Sequence, residues 1–200
     1  MCDSPSVSDE HAPPKCFFPK TNRKQLVTVP SCDDHNLKTS NDDEYVRNIL
    51  VTFEGCNELA GGVFGGKAKR SFDNSPKLFK KTFQNVVWKE VDGTKKAAFE
   101  LDFERVENTM HKIKAALHFN HFDEKVTWKT STFVKQLVGE DLQDGGAGKL
   151  FALLDSEGLE WFGDNPEVFK YRMVRYPGMP STFHFVFFEG VDVMVTALSN

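Results

Sequence analysis

The clearest hydrophobic pattern of the chain lies in residues 103–119. Val106, Met110, Ile113 and Leu117 recur at intervals of three or four residues, and charged or polar residues separate most of them. An α-helix has about 3.6 residues per turn, so this spacing places the four apolar side chains on one face. The pattern predicts a long amphipathic helix that packs on a core.

A second helix is predicted to begin near residue 40. Ser40 or Asn41 is suited to cap its first turn, and Tyr45, Ile49 and Phe53 recur every four residues. The acidic run directly after the cap also favours a helix start, because the N-terminal end of a helix carries a partial positive charge. We therefore expect a helix whose apolar side faces the core.

Proline and glycine mark the weaker elements. Pro76, preceded by the candidate caps Asn74 and Ser75, predicts the first turn of a short helix over residues 74–84. Glycine-rich stretches predict interruptions of regular structure. A turn or hinge is expected at residues 61–62 and 65–66, and a mobile loop at residues 139–148.

Runs of β-branched and aromatic residues predict antiparallel strands. A hairpin is expected over residues 86–101, because the Asp92-Gly93 pair favours the tight turn that joins two antiparallel strands. One more strand, residues 26–29, ends at Pro30. Three further runs are expected to form a meander: residues 168–174, 183–189 and 191–198. Helices and antiparallel strands in separate stretches predict an α+β fold.

Composition and charge narrow the class of protein. The chain has 200 residues, of which 40% are hydrophobic and 27% are charged, as in an ordinary globular protein. This length fits one domain, or a small module joined to a larger one. The net charge of −4 argues against a protein that coats nucleic acid through general basicity. A local basic cluster is nevertheless present, at Lys15, Lys20, Arg23 and Lys24.

The four cysteines lie in the first third of the chain. No signal peptide is recognisable, and no stretch approaches the roughly 18 apolar residues that a membrane span needs. We therefore expect a cytoplasmic protein without membrane contact. In that compartment, clustered cysteines more often bind a metal or stay free than form disulfides.

Three adjacent residues near the N-terminus, Asp9, Glu10 and His11, carry the candidate chemistry. A carboxylate beside an imidazole can bind Mg²⁺, Mn²⁺ or Zn²⁺ while the imidazole accepts a proton from water. This combination suits hydrolysis of a phosphodiester bond, because the base generates the nucleophile and the metal stabilises charge on the phosphate. Asn36 can supply one more neutral oxygen ligand.

A structural zinc site is a further candidate. Cys32 and His35 are separated by two residues, which allows both side chains to reach one tetrahedral zinc ion. Cys2 is the nearest candidate for a third ligand. The alternative is a segment with the outline of a zinc knuckle that is held by packing alone.

The runs S-DEH-APPK-x-FFPK, QL-VTVPSC-xx-HN and S-x-DDEY resemble the HNH endonuclease family, whose motif is a ββα-metal finger. The resemblance implies that His11 is the general base and that Glu10 and Asn36 are metal ligands. Asp9 would be an alternate ligand or a group that supports one. Gln25 falls at the position of the family's middle Asn, which implies a supporting role.

The resemblance also implies a domain organisation and a function. Residues 1–47 would form the finger, and residues 48–200 an α+β body with an antiparallel sheet. The protein would be a metal-dependent endonuclease that hydrolyses phosphodiester bonds in double-stranded DNA, with Mg²⁺ or Mn²⁺ as cofactor and Zn²⁺ as an alternative. The basic cluster would contact the DNA, and the body would contact a protein partner or a second copy of the chain.

Two alternatives stay open at this point. The first is a catalytically inactive module derived from the HNH finger, which binds nucleic acid or protein. The second is an acidic, Phe-rich regulatory protein in which residues 1–41 pack on the body; the chain has 19 Phe but only three Trp and three Tyr.

Overall fold

The computed structural model describes residues 4–33, 36, 39–91, 93–126, 128–137 and 146–197. In these ranges the helices are α1 Ser40–Leu50, α2 Glu58–Val63, α3 Lys69–Asn74, α4 Pro76–Thr82, α5 Phe103–Phe122 and α6 Gly146–Ser156. The strands are β1 Ser8–Ala12, β2 Val27–Ser31, β3 Gln84–Val91, β4 Thr94–Glu100, β5 Thr130–Val134, β6 Phe162–Asn165, β7 Phe169–Val174, β8 Thr182–Phe187 and β9 Val191–Ala197.

The strands form three antiparallel sheets, and the predicted α+β fold class is confirmed. Strands β1 and β2 form one hairpin, and β3 and β4 form a second. The remaining strands form a five-stranded sheet in the order β5-β9-β8-β7-β6. Its last four strands are the C-terminal meander, and β5 adds to the meander beside β9. None of the helices in the described ranges is both long and apolar enough to cross a membrane.

Helix α5 confirms the strongest pattern of the sequence. Asp102 caps it by accepting a hydrogen bond from the Arg105 backbone N–H at 3.4 Å, and Asp123 ends it in a left-handed conformation at φ 53°. The apolar positions of the three-four pattern are buried: Val106, Met110, Ile113 and Leu117. The helix contacts the β1–β2 hairpin as well as strands β5 and β9 of the large sheet.

One hydrophobic core joins the N-terminal hairpin to the C-terminal sheet. Phe17 and Phe187 are both fully buried, and their ring centroids lie 5.9 Å apart. Val29 of β2 and Val193 of β9 belong to the same core cluster. The predicted boundary after residue 47 falls inside α1, and the division into two domains stays a prediction.

The glycine pairs at 61–62 and 65–66 do not form a turn or hinge, contrary to the prediction. Gly61 and Gly62 lie inside α2, which continues through a π-helical segment, Phe64–Ala68, into α3. Burial of Ala60 and Val63 against the core supports this helical path although glycine is a poor helix former. By contrast, Ser75 caps α4 as predicted, since its side chain accepts a hydrogen bond from the Leu78 backbone N–H.

Several sequence expectations differ in extent or lie outside the described residues. Helix α1 ends at Leu50, short of the predicted apolar position Phe53, and Thr39 occupies its N-cap position. Strands β5 and β6 were not predicted, because their sequences lack clean alternation, whereas β1 lies in the segment for which the resemblance implied a ββα finger. Asp92 of the predicted turn and most of the predicted loop at 139–148 lie outside the described residues.

Lys114 is buried on α5 without any exposed surface. Its ammonium nitrogen has no hydrogen-bond partner among the described residues. Burial lowers the pKa of Lys114 to about 8, because the charged form loses its hydration. The charge at this position therefore lowers the stability of the fold near neutral pH.

We expect Lys114→Met to raise the free energy of unfolding by about 3 kcal/mol at pH 7, the equivalent of a pKa drop from 10.5 to about 8. The unfolded chain holds this proton up to about pH 10.5, so the wild-type protein gains stability as pH rises from 8 to 10.5. The advantage of the variant should shrink over that window in urea titrations. Lys129→Met, at an exposed position, is the control, and a pH-independent advantage would contradict the prediction.

Candidate functional site

Strand β1 sends its side chains to two opposite sides of the hairpin. Successive residues of a β-strand point to opposite faces, so Glu10 points to one side and both Asp9 and His11 point to the other. Glu10 pairs with Val29 in the register of the hairpin, and only 6% of its surface is exposed. The sequence resemblance grouped Glu10 with His11 around one metal ion, and the strand geometry separates them.

Glu10 belongs to a buried charged cluster that the sequence did not predict. The Lys112 ammonium of α5 donates to both carboxylate oxygens of Asp43 at 2.7 Å and to Thr39 Oγ1 at 3.0 Å. It also lies 3.4 Å from Glu10 Oε1. Glu10 lies on β1, Asp43 on α1, Thr39 directly before α1, and Lys112 on α5. Three segments thus meet at one lysine.

Burial makes negative charge costly in this cluster. It raises the pKa of the Glu10 carboxyl, an effect that the Lys112 ammonium opposes and the Asp43 carboxylate strengthens. Burial likewise raises the pKa of Asp43 against the effect of Lys112. One ammonium therefore serves two carboxylates, and Asp43 has the shorter contacts with it.

A cavity of about 330 Å³ lies beside this cluster, between the β1–β2 hairpin and α5. Glu10 and Lys112 line its charged end, together with Asp42 and His111. Asp42 is already paired with the Arg105 guanidinium at 2.6 Å. The lining also contains the apolar residues Val29, Pro30, Ala115 and Ala116, as well as several uncharged polar ones: Ser4, Ser6, Ser31, Thr39 and Asn108. A concave site that combines apolar side chains with a few convergent polar groups is typical of small-ligand sites.

His11 lies on the other face of β1, in a basic environment. Partial burial lowers the pKa of His11, and the nearby Lys15 and Arg23 charges lower it further, while Asp9 opposes them. The imidazole is therefore disposed to be neutral near pH 7, as a general base must be. Arg23 is held in place because its guanidinium donates to the Phe18 carbonyl oxygen at 3.2 and 3.3 Å.

The remaining residues of the predicted site are dispersed. The Asn36 amide donates to Ser8 Oγ at 2.9 Å and to the Asp9 carbonyl oxygen at 3.3 Å, which ties the segment after β2 to the start of β1. Gln25 has a positive φ of 39° and lines a different cavity, which His121 and Tyr171 also line. The other two predicted DNA contacts are Lys20 and Lys24, both exposed.

The predicted zinc site is only partly described. Cys32 is buried at the edge of the 330 Å³ cavity, whereas Cys2 and His35 lie outside the described residues. Within the described ranges, no group of three or more His, Cys, Asp or Glu side chains could hold a metal ion. A zinc ion at Cys2, Cys32 and His35 stays a prediction.

Sequence reasoning missed Lys112, Asp43 and Thr39. Lys112 occupies a polar position of an amphipathic helix, and such positions ordinarily face solvent. Asp43 lies in the first turn of a helix, where an acidic residue is expected for its interaction with the helix dipole. Neither pattern indicates the other residue, since they are 69 positions apart in sequence. The one available signal was Glu10, an acidic residue that alternates with Ala12 on the side of the strand facing the core.

Comparison of the chain with family models, with curated proteins and with solved structures found no match.

We expect Lys112→Met to destabilise the fold by about 3–5 kcal/mol at pH 7.5, because two buried carboxylates lose their counter-charge. The raised pKa values of Glu10 and Asp43 mean that both groups favour the folded state most below their ordinary pKa values, where they are protonated. The loss should therefore be smaller at pH 4.5, measured by urea titration at both pH values.

The double variant Glu10→Gln, Lys112→Met is the control for this prediction. It removes one of the two uncompensated carboxylates, so it should recover part of the stability that Lys112→Met loses at pH 7.5. An equal loss at both pH values, without recovery in the double variant, would contradict a charge-based role for Lys112.

Proposed function

We propose that the protein binds a small organic cation, an amine with a compact apolar body, in the cavity between the β1–β2 hairpin and α5. The observation that carries the proposal is the sharing of one lysine by two buried carboxylates, of which Glu10 lines the cavity. Glu10 is the carboxylate that would contact the ligand, since it lines the cavity and has the longer contact with Lys112.

The charge balance of the cavity supports a cation over an anion. The three N–H groups of Lys112 are already directed at Thr39, Asp43 and Glu10, so this ammonium has no N–H left to donate to an anionic ligand. A ligand ammonium beside Glu10 would supply the second positive charge that the two carboxylates lack. It would also offset the cost of keeping Glu10 ionised in a buried position.

The shape of the cavity supports a small ligand with an apolar end. A volume of about 330 Å³ is near the lower limit for ligand pockets. At the volume of about 30 Å³ that a water molecule occupies in the liquid, it corresponds to roughly ten non-hydrogen atoms. Ala115 and Ala116 present short side chains on α5, which leaves room for a flat or branched apolar group against Val29.

The proposal predicts that 2-phenylethylamine, as a probe of suitable size and charge, raises the melting temperature of the protein. Binding to the folded state alone stabilises it by about 2.7 kcal/mol when the probe is at 100 times its Kd. Glu10→Gln should abolish the shift. Asp9→Asn, the adjacent carboxylate on the opposite face of β1, should leave it unchanged. Both variants are measured by thermal unfolding and by titration calorimetry.

Phenylacetate and 2-phenylethanol serve as the matched anionic and neutral probes. They have a similar apolar body without a cationic group, so neither should stabilise the protein to a comparable degree. Equal binding of all three compounds, or binding of the amine that survives Glu10→Gln, would overturn the proposed cation site.

Metal-dependent cleavage of DNA at His11 is the second candidate function. It is supported by the lowered pKa of His11 beside Lys15 and Arg23, which favours a neutral base next to positive charge that can attract phosphate. Glu10 faces away from this base. In this second proposal the acidic metal ligand is Asp9, which shares the His11 face of β1, and Asn36 lies beside the Asp9 backbone.

This second candidate predicts nicking of supercoiled plasmid in the presence of Mg²⁺ or Mn²⁺ and none in EDTA. His11→Ala and Asp9→Asn should each abolish the nicking, and Glu10→Gln should leave it intact, which is the reverse of the pattern expected for amine binding. Intact plasmid with every metal, or nicking that persists in His11→Ala, would exclude this function for the site.

A further inference from the structure

An apolar groove with a volume of about 710 Å³ lies on a part of the molecule that the proposed function does not use. Helix α4, the β3–β4 hairpin and the turn after α1 form its walls. Its apolar side chains are left exposed to an unusual degree: Phe64 by 37%, Phe79 by 46%, Val86 by 42%, Leu137 by 46% and Trp88 by 70%. A contiguous exposed apolar surface of this kind marks an interaction site.

The β3–β4 hairpin gives the groove an open edge. In the described residues β3 pairs only with β4, and side chains 84–90 are exposed on both faces of the strand. Trp88 lies opposite Ala97 in the register, so a small residue leaves the indole ring uncovered. A two-stranded sheet is marginally stable without further packing, and the hairpin is therefore suited to gain from a partner.

Positive charge is concentrated in the chain segment that supplies α4 and the β3–β4 hairpin. Residues 67–100 contain nine Lys and Arg against four Asp and Glu, which leaves 16 basic against 25 acidic residues for the rest of the chain. The acidic residues next to the groove include Glu54, which is paired with Lys96 at 2.7 Å, and Glu90 and Glu100 of the hairpin. The exposed lysines of α4 and the hairpin are Lys77, Lys80, Lys81, Lys89 and Lys95.

We propose that this groove binds an acidic peptide segment of a partner protein that carries large apolar side chains. The concave apolar floor would receive the apolar side chains, and the exposed lysines of α4 and the hairpin would pair with the acidic ones. The match between an apolar centre and a charged border is the usual anatomy of a protein interface. The proposal is independent of the cation site, which lies between the other hairpin and α5.

The packing of the groove favours a peptide over nucleic acid or membrane. The phenyl rings that line the groove are tilted against one another, with Phe79 and Phe83 at 55° and Phe83 and Phe99 at 84°. They therefore form no row of parallel faces for stacked bases, and the exposed Trp88 indole is a single ring face. A lipid surface is engaged best by a protruding apolar surface, whereas this one is a recess. The discrete pockets of a recess instead suit individual side chains.

The test is selection of binders from a display library of random 16-residue peptides on the full-length protein, followed by affinity measurement on synthetic copies by fluorescence anisotropy. We expect the selected peptides to be rich in Asp or Glu and in Leu, Phe or Trp. Their affinity should fall roughly thirtyfold on Trp88→Ser, as for a central interface residue. Lys80→Glu with Lys81→Glu should weaken binding about tenfold, and the loss should diminish at high salt.

Matched controls separate the groove from general surface effects. Met179→Ser removes an exposed apolar side chain outside the groove, and Lys129→Glu reverses an exposed charge elsewhere, so both should leave peptide affinity unchanged. Selected peptides without acidic residues, or with affinity that is insensitive to Trp88→Ser, would overturn the proposal. The proposal would also be overturned if the groove variants left peptide affinity unchanged and abolished a different interaction: self-association in sedimentation runs, binding to phosphatidylserine vesicles or binding to single-stranded DNA.

Discussion

The packing of α5 against both the N-terminal hairpin and the five-stranded sheet is the interaction on which the rest of this structure depends. Its buried residues Val106, Met110, Ile113 and Leu117 hold the two sheets in one core. The same helix carries Lys112 to the hairpin, where that one ammonium is shared by the Glu10 and Asp43 carboxylates. The proposed cation site therefore exists only where α5 and the hairpin meet.

The alternation of side chains along β1 divides the chemistry of the N-terminal segment into two surfaces. Glu10 faces inward to a cavity with a shared lysine, and Asp9 and His11 face outward to Lys15 and Arg23. The two proposed functions of this strand therefore depend on different residues. A single conservative change on one face leaves the other face intact, which makes the two functions separable by experiment.

Burial of charge recurs along α5 with opposite consequences. Lys112 has carboxylate partners, and its removal leaves two negative charges without compensation. Two residues further on, Lys114 has no hydrogen-bond partner among the described residues, and burial lowers its pKa to about 8. The partners, and not the depth of burial, decide whether a buried lysine supports the fold or opposes it. The groove beside Trp88 shows the reverse situation, in which apolar side chains lie exposed among positive charges.

The sequence by itself determined the elements whose stabilising interactions are local. The apolar spacing of α5, the Ser75 cap of α4 and the strands of the C-terminal meander follow from periodicity and capping, which operate over a few neighbouring residues. Tertiary structure alone decided that Glu10 meets Lys112, that glycines 61 and 62 remain helical, and that β5 pairs with β9. These outcomes depend on contacts between residues far apart in the chain, and packing free energy outweighs local preference there.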